Sequence, residues 1–220
     1  MSLVRRSTDL VWRFVNMDET WVHHYMPETK QQSKQWVEAA GDTPKPRIKK
    51  DLHPQKAMIC VFWDCEGVLY WEMLGRNATV NKDLYIAQLH RVNEAIQQKR
   101  PDRQCEIILL YSNARPHVAQ VVKAALQELE WEVLQHPAYS PDLAPTDYHL
   151  FRSMSNHMRG TTFDDEEDLK TWLNNFDTRP GDFWRNGINK LVERWEEVVK
   201  DFTKTSKLWK IGTKEDETPT

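Results

Sequence analysis

Three positions in this sequence have the residue types and surroundings that metal-assisted chemistry uses. Asp18 closes the stretch "LVWRFVNMD". Ser112 follows the apolar climb in "CEIILLYSNARPHVAQ". Asp147 lies in "AYSPDLAPTDYHLF". Polar residues at the exit of a buried strand are where open α/β sheets place their chemistry. Carboxylates that face one another repel, so a convergent group of them calls for a divalent cation. Mg²⁺ takes oxygen ligands and keeps several waters. In pairs it clamps the attacking and leaving oxygens of a phosphoryl transfer. Spacing alone equally admits a plain reading, with Asp18 a turn residue and Asp147 a helix-start residue. Ser112 is the odd member, because its hydroxyl is neutral and short in reach. Nearby, Arg115 suits either a phosphate or a surface ion pair, and His117 either the site or a local helix-start hydrogen bond. His23 and His24 fall on opposed faces of a strand, which argues against a joint metal site.

Positioning these residues requires a sheet with its polar ends gathered. Residues 10–20 read as a strand, and "WVHHYM" after it reads as a candidate hairpin partner. Residues 57–63, "AMICVFW", form a continuous apolar run, the pattern of a strand covered on both faces. A turn at Asp64-Cys65-Glu66-Gly67 leads into "VLYWEML". From Thr79 a helix is predicted, with Tyr85, Leu89, Val92 and Ile96 on one stripe. A strand over 106–111, a helix from about His117 and the short strand "WEVLQHP" make a parallel, right-handed βαβ unit. Thr146 is the expected N-cap of the next helix, which places Asp147 in its first turn. Asp164 and Glu167 suggest a capping arrangement. A last helix carries Ile188, Leu191, Trp195, Val198 and Phe202 at steps of three and four, a stripe suited to packing on the sheet. The expected organisation is one domain over 1–203 with a frayed tail at 204–220. In such a mixed sheet, a meander followed by a βαβ unit, the ends at Asp18, Ser112 and Asp147 can converge.

Composition narrows the class. The 220 residues are 40% hydrophobic and 29% charged, with a net charge of −3. That is ordinary for a globular protein and announces no nucleic-acid partner by global charge. Three cysteines, Cys60, Cys65 and Cys105, read as reduced thiols rather than a disulfide framework. No stretch is apolar enough to span a membrane, and no secretory signal opens the chain. The one region of different character is 27–56. It holds Pro27, Pro44, Pro46 and Pro54 and a basic run of Lys45, Arg47, Lys49, Lys50 and Lys56. A long irregular segment within a compact domain is usually functional or disordered. Charge alone leaves it as either a solvated basic loop or a phosphate-contacting one.

The string "YSNARPHVAQ", followed by "WEVLQHPAYSPDLAPTDYHLF", resembles the mariner family of DNA transposases. That family carries Asp-Asn-Ala-Arg-Pro-His and then Ser-Pro-Asp-Leu-x-Pro-x-Asp-Tyr-x-x-Phe, with 34 residues between the second and third catalytic aspartates. Ser112 and Asp147 likewise have 34 residues between them. "NMDETWV" resembles the motif around the first aspartate, and "NGINKLVERWEEVV" the C-terminal helix. The likeness runs from about residue 10 to 202.

The resemblance implies an RNase H-like α/β fold, a mixed five-stranded sheet flanked by helices with an insertion after the first strands. It implies Mg²⁺- or Mn²⁺-dependent cleavage of DNA at transposon ends and strand transfer to a TA target. Asp18 and Asp147 would be the metal ligands, and Ser112 would stand where the second aspartate belongs, weakening or abolishing activity. Arg115 and His117 belong to the signature near the site and would contact DNA. The 27–56 segment matches a loop that reaches to the other subunit, with Lys45, Arg47, Lys49 and Lys50 on DNA. A homodimer, a nuclear location, no membrane and no small-molecule substrate follow in the same way. No segment matches the family's helix-turn-helix region, so a catalytic-domain product is expected. The competing expectation is a domesticated or decayed protein that binds DNA or a protein without cutting.

Overall fold

The computed structural model describes residues 11–25, 34, 55–75, 78–103, 106–111, 117–135 and 140–212; for residues 135, 199 and 201–212 it describes the backbone alone. Among the described residues, five strands form one sheet in the order β3-β2-β1-β4-β5. The strands are β1 (Phe14–His23), β2 (Lys56–Asp64), β3 (Gly67–Leu74), β4 (Ile108–Tyr111) and β5 (Glu132–Gln135). β1, β2 and β3 make an antiparallel meander, and β1, β4 and β5 run parallel. This is the predicted meander followed by a βαβ unit.

One expectation is corrected. Trp21, Val22 and His23 are not a hairpin partner of the preceding strand. They continue β1 and pair with Met58, Ala57 and Lys56 of β2. No turn residues separate Thr20 from Trp21, so nothing reverses the chain there, and β1 stays extended to its end.

Side-chain alternation sends β1 to two cores. Val15 and Met17 join Cys60, Phe62, Leu109 and Tyr111 on one face. There they meet α1 (Lys82–Lys99) and α2 (Gln120–Glu128). Tyr85, Leu89, Val92 and Ile96 are all buried, the stripe their spacing predicts. Asn81 caps α1 by accepting from the backbone N–H groups of Asp83 and Leu84. The helix therefore starts three residues later than Thr79. Similarly, α2 starts at Gln120, leaving His117 in the preceding turn.

Phe14 and Val22 face the other way, with Ile59, Val61, Trp63, Ile108 and Leu110. That face is covered by α3 (Arg152–Met158), α4 (Glu166–Asp177) and α5 (Gly181–Gly212). Trp184, Ile188 and Leu191 anchor α5 and are 3% exposed or less. Each such side chain contributes roughly 1.5–3 kcal/mol on burial. β2 is buried over nearly its whole length, as its unbroken apolar run predicts. The cap of α4 is Asp165, which accepts from the Asp168 backbone, one position on from the expected Asp164 and Glu167. The register is set earlier: the Phe163 N–H donates to the His24 carbonyl at 2.7 Å and the Phe163 ring is buried.

The β2–β3 turn is built by Asp64, whose Oδ1 accepts from the N–H groups of Glu66 and Gly67. Gly67 takes a φ of 142°, open only to glycine at low cost. Arg100 and Arg103 at the end of α1 both pair with the fully buried Asp64, at 3.1 and 2.9 Å. Among the described residues, no helix is long and apolar enough to cross a membrane.

Candidate active site

Asp18 lies on the central strand, paired with Val61 of β2. By strand alternation it shares a face with Phe14, Asn16 and Val22, the face that the α3–α5 layer covers. Its Oδ1 accepts from the backbone N–H of Glu19 at 2.9 Å. Its carboxyl is pushed up from 3.8 to about 7. Burial is the main cause, followed by the negative charge of Asp147; the Glu19 charge adds to the rise, while the Glu19 N–H and His117 oppose it. The two acids, 129 positions apart in sequence, are thus close enough to act on one another.

Asp147 reaches this position on an unusual element. Residues Thr146–Phe151 form a turn of π-helix that runs into α3. Such turns are rare and occur often at functional sites. Thr146 is not its N-cap, a correction to the sequence reading; that place falls to Pro145, in helical conformation. The Thr146 hydroxyl is instead drawn inward, accepting from Trp63 Nε1 at 3.1 Å. A buried indole N–H requires an acceptor, and this demand outweighs the capping preference.

Helix α5 clamps the same turn. Tyr148 Oη donates to the Gly187 carbonyl at 2.7 Å, and His149 Nε2 donates to the Phe183 carbonyl at 2.8 Å. Arg194 donates to the Asp142 carbonyl at 2.8 Å and lies 4.1 Å over the Tyr148 ring. Gly187 permits the approach. A Cβ there would come within 2.5 Å of His149 Cδ2 and 2.9 Å of Trp63 Cη2. Gly187→Ala is expected to destabilise the fold by about 1–2 kcal/mol, the clash outweighing alanine's better helix propensity. Urea unfolding checks it; an unchanged or raised midpoint would show that the turn can yield.

His117 is 1% exposed. Its Nε2 hydrogen-bonds Glu19 Oε1 at 3.1 Å, and its ring lies 4.2 Å from that of Tyr85 and edge-on to Tyr111 at 5.6 Å. An ionised carboxylate can only accept, so the Nε2–H donates. The contact fastens the end of the β4–α2 connection to β1, beside Asp18 in sequence and on the opposite sheet face. Glu19 and Tyr85 carry no sequence signal for this partnership, which only the sheet register creates.

Ser112, Arg115, Lys45, Arg47, Lys49 and Lys50 lie outside the described residues; Tyr111, the last residue of β4, immediately precedes Ser112. Among the described residues, no group of three or more His, Cys, Asp or Glu side chains is placed to hold a metal ion. Asp18 and Asp147 supply two hard oxygen donors of like charge, a set that suits a divalent cation such as Mg²⁺ or Mn²⁺.

The comparisons with known proteins agree with this architecture. The family described as "Transposase (partial DDE domain)" matches residues 26–105. The Mariner Mos1 transposase of Drosophila mauritiana is 43% identical over 191 residues, which cover 85% of this chain and 54% of that protein. The crystal structure of the catalytic domain of Mos1 mariner transposase superposes with a TM-score of 0.72 at 38% identity, covering 90% of this chain and 87% of that one. The crystal structure of the Mos1 mariner paired end complex with Mn gives a TM-score of 0.81 at 40% identity, over 90% of this chain and 58% of that one. The chain thus spans about half the length of the Mos1 transposase and most of its catalytic domain.

Proposed function

The chain belongs to the mariner transposase family, with the RNase H-like fold of its catalytic domain, and from that premise we propose that it is a divalent-metal-dependent DNA cleavage and strand-transfer domain weakened by Ser112. The observation that carries this reading is that the turn bearing Asp147 packs on β1, the strand bearing Asp18, so that the Asp147 charge adds to the rise that burial imposes on the Asp18 carboxyl.

Asp18 and Asp147 would hold the cation, Mg²⁺ or Mn²⁺; the Mos1 paired end complex was solved with Mn. When bound, it supplies an activated water or 3′-hydroxyl and charge stabilisation at the phosphoryl group. The chain's own residues prepare that centre. The indole of Trp63 and helix α5 hold the Asp147 turn against β1. The Glu19–His117 contact fastens His117, at the entry to α2, to β1. The parallel register sets Leu110 of β4 beside Asn16, two residues before Asp18 on β1. Arg115 and the basic run Lys45, Arg47, Lys49 and Lys50 suit contacts to DNA phosphates, a salt-sensitive and sequence-blind interaction. No protein nucleophile is required. The substrates are transposon ends and a TA target, handled by a homodimer in the nucleus.

A second reading, a family member that retains DNA or protein binding without cleavage, is favoured by Ser112. Crystals soaked in Mn²⁺ test the primary reading through anomalous scattering. A peak between Asp18 and Asp147 supports it. Full Mn²⁺ saturation in solution, unchanged by Asp18→Asn and with no peak at this pair, would overturn it.

A further inference from the structure

Asn16 is 0% exposed, and neither Oδ1 nor Nδ2 of its carboxamide has a hydrogen-bond partner. A buried amide left unpaired is costly, and buried polar side chains are nearly always satisfied. Its place gives a reason for the exception. Asn16 lies two residues before Asp18 on β1, hence on the same face of the sheet. Side chains at such positions stand about 7 Å apart at their roots, close enough for an amide and a carboxylate to meet. Its cross-strand neighbour is Trp63, whose indole is bonded to Thr146, the residue before Asp147. Asn16 therefore shares the strand and the face of one acid and is paired across the sheet with the tryptophan that bonds to the turn of the other.

We propose that Asn16 is a positioning residue for the Asp18–Asp147 pair, its Nδ2 donating to a carboxylate oxygen that the cation leaves unsatisfied once both acids are ionised. The group is poorly satisfied in the metal-free protein and becomes satisfied when the site is loaded. This inference rests on the reading of Asp18 and Asp147 as the cation-holding acids. Outer partners of metal ligands typically contribute 10–100-fold to metal affinity.

The test uses Asn16→Leu, which keeps the side-chain shape and removes both polar atoms, and Asn16→Thr, which keeps a donor. Mn²⁺ affinity is measured by titration calorimetry and melting temperature with and without Mn²⁺. Asn16→Leu is expected to melt at the parent temperature or above it without metal, yet to bind Mn²⁺ 10–100-fold more weakly. Asn16→Thr is expected to recover part of the affinity. A residue with a purely structural role would move the metal-free melting temperature and leave affinity alone. Should Asn16→Leu fail to fold, Asn16→Ala, which likewise lacks a donor, takes its place, and parent-like Mn²⁺ affinity in it overturns the proposal. Parent-like affinity in Asn16→Leu, with binding lost in Asp18→Asn, sinks the role of Asn16 and spares the acid pair. Affinity unchanged by Asp18→Asn removes the acid pair, and the proposal with it.

Discussion

Ser112→Asp is expected to raise Mn²⁺-dependent nicking of supercoiled plasmid by about a thousandfold or more over the chain as it stands. A serine hydroxyl can offer a lone pair to a cation but neutralises none of its charge, and it reaches less far than a carboxylate. Losing one of three anionic donors weakens metal binding and misplaces the ion meant for the reacting phosphate. An effect of about 4 kcal/mol on the barrier is a factor of about a thousand in rate. The described elements before and after the position are in order. β4 is registered on β1, His117 is fastened to Glu19, and the Asp147 turn is clamped by α5. Restoring the acid should therefore suffice. The double variant Ser112→Asp, Asp147→Asn should return to the starting rate, which excludes a contaminating nuclease. If the restored protein binds DNA and still does not cut, Ser112 is not the lesion. The binding-only reading then gains.

Much of this arrangement could be read from sequence, for identifiable reasons. The α1 stripe and the unbroken run of β2 reflect burial against one or two layers, which periodicity encodes directly. The meander and the βαβ unit followed from them, and with these the prospect of convergent acids. The errors fell where long-range contacts override local preference. Thr146 has the type and place of an N-cap, but the Trp63 indole, 83 positions away, takes its hydroxyl. The π-turn that carries Asp147 has no sequence signature, because the closing contacts are made with α5, by Tyr148 and His149 to its carbonyls and by its Arg194 to the Asp142 carbonyl. Asp164 and Asp165, each followed three residues later by an acid, offer two equivalent caps, and the bond from Phe163 to His24 decides between them. Asn16 looked like one more strand residue. Its unpaired amide is visible only once the strand is buried and paired with Trp63.

The Asp18 carboxyl gives the metal-free protein a pH dependence opposite to that of an ordinary surface acid. Folding raises it from 3.8 to about 7, by burial first and by the Asp147 charge second. Below pH 3.8 the group is protonated in both folded and unfolded chains and contributes nothing. Between about 4 and 7 the unfolded chain has lost the proton and the folded chain keeps it. The folded state then binds more protons, so stability falls as pH rises. Above about 7 both are ionised, and the penalty reaches its full value, up to about 4 kcal/mol at 1.36 kcal/mol for each pH unit. Asp18→Asn removes a charge that the fold tolerates poorly. The variant should be more stable than the parent at pH 8 by a few kcal/mol, and about equal to it at pH 4. Chelator-treated protein, unfolded in urea at both values, checks this. Mn²⁺ should reverse the order at pH 8, since it binds the ionised pair and stabilises only the parent by mass action. Parallel stability curves for parent and variant between pH 4 and 8 would mean that Asp18 is solvated like any exposed acid. The Asp147 charge would then not reach it, and the pairing from which the activity was argued would be lost.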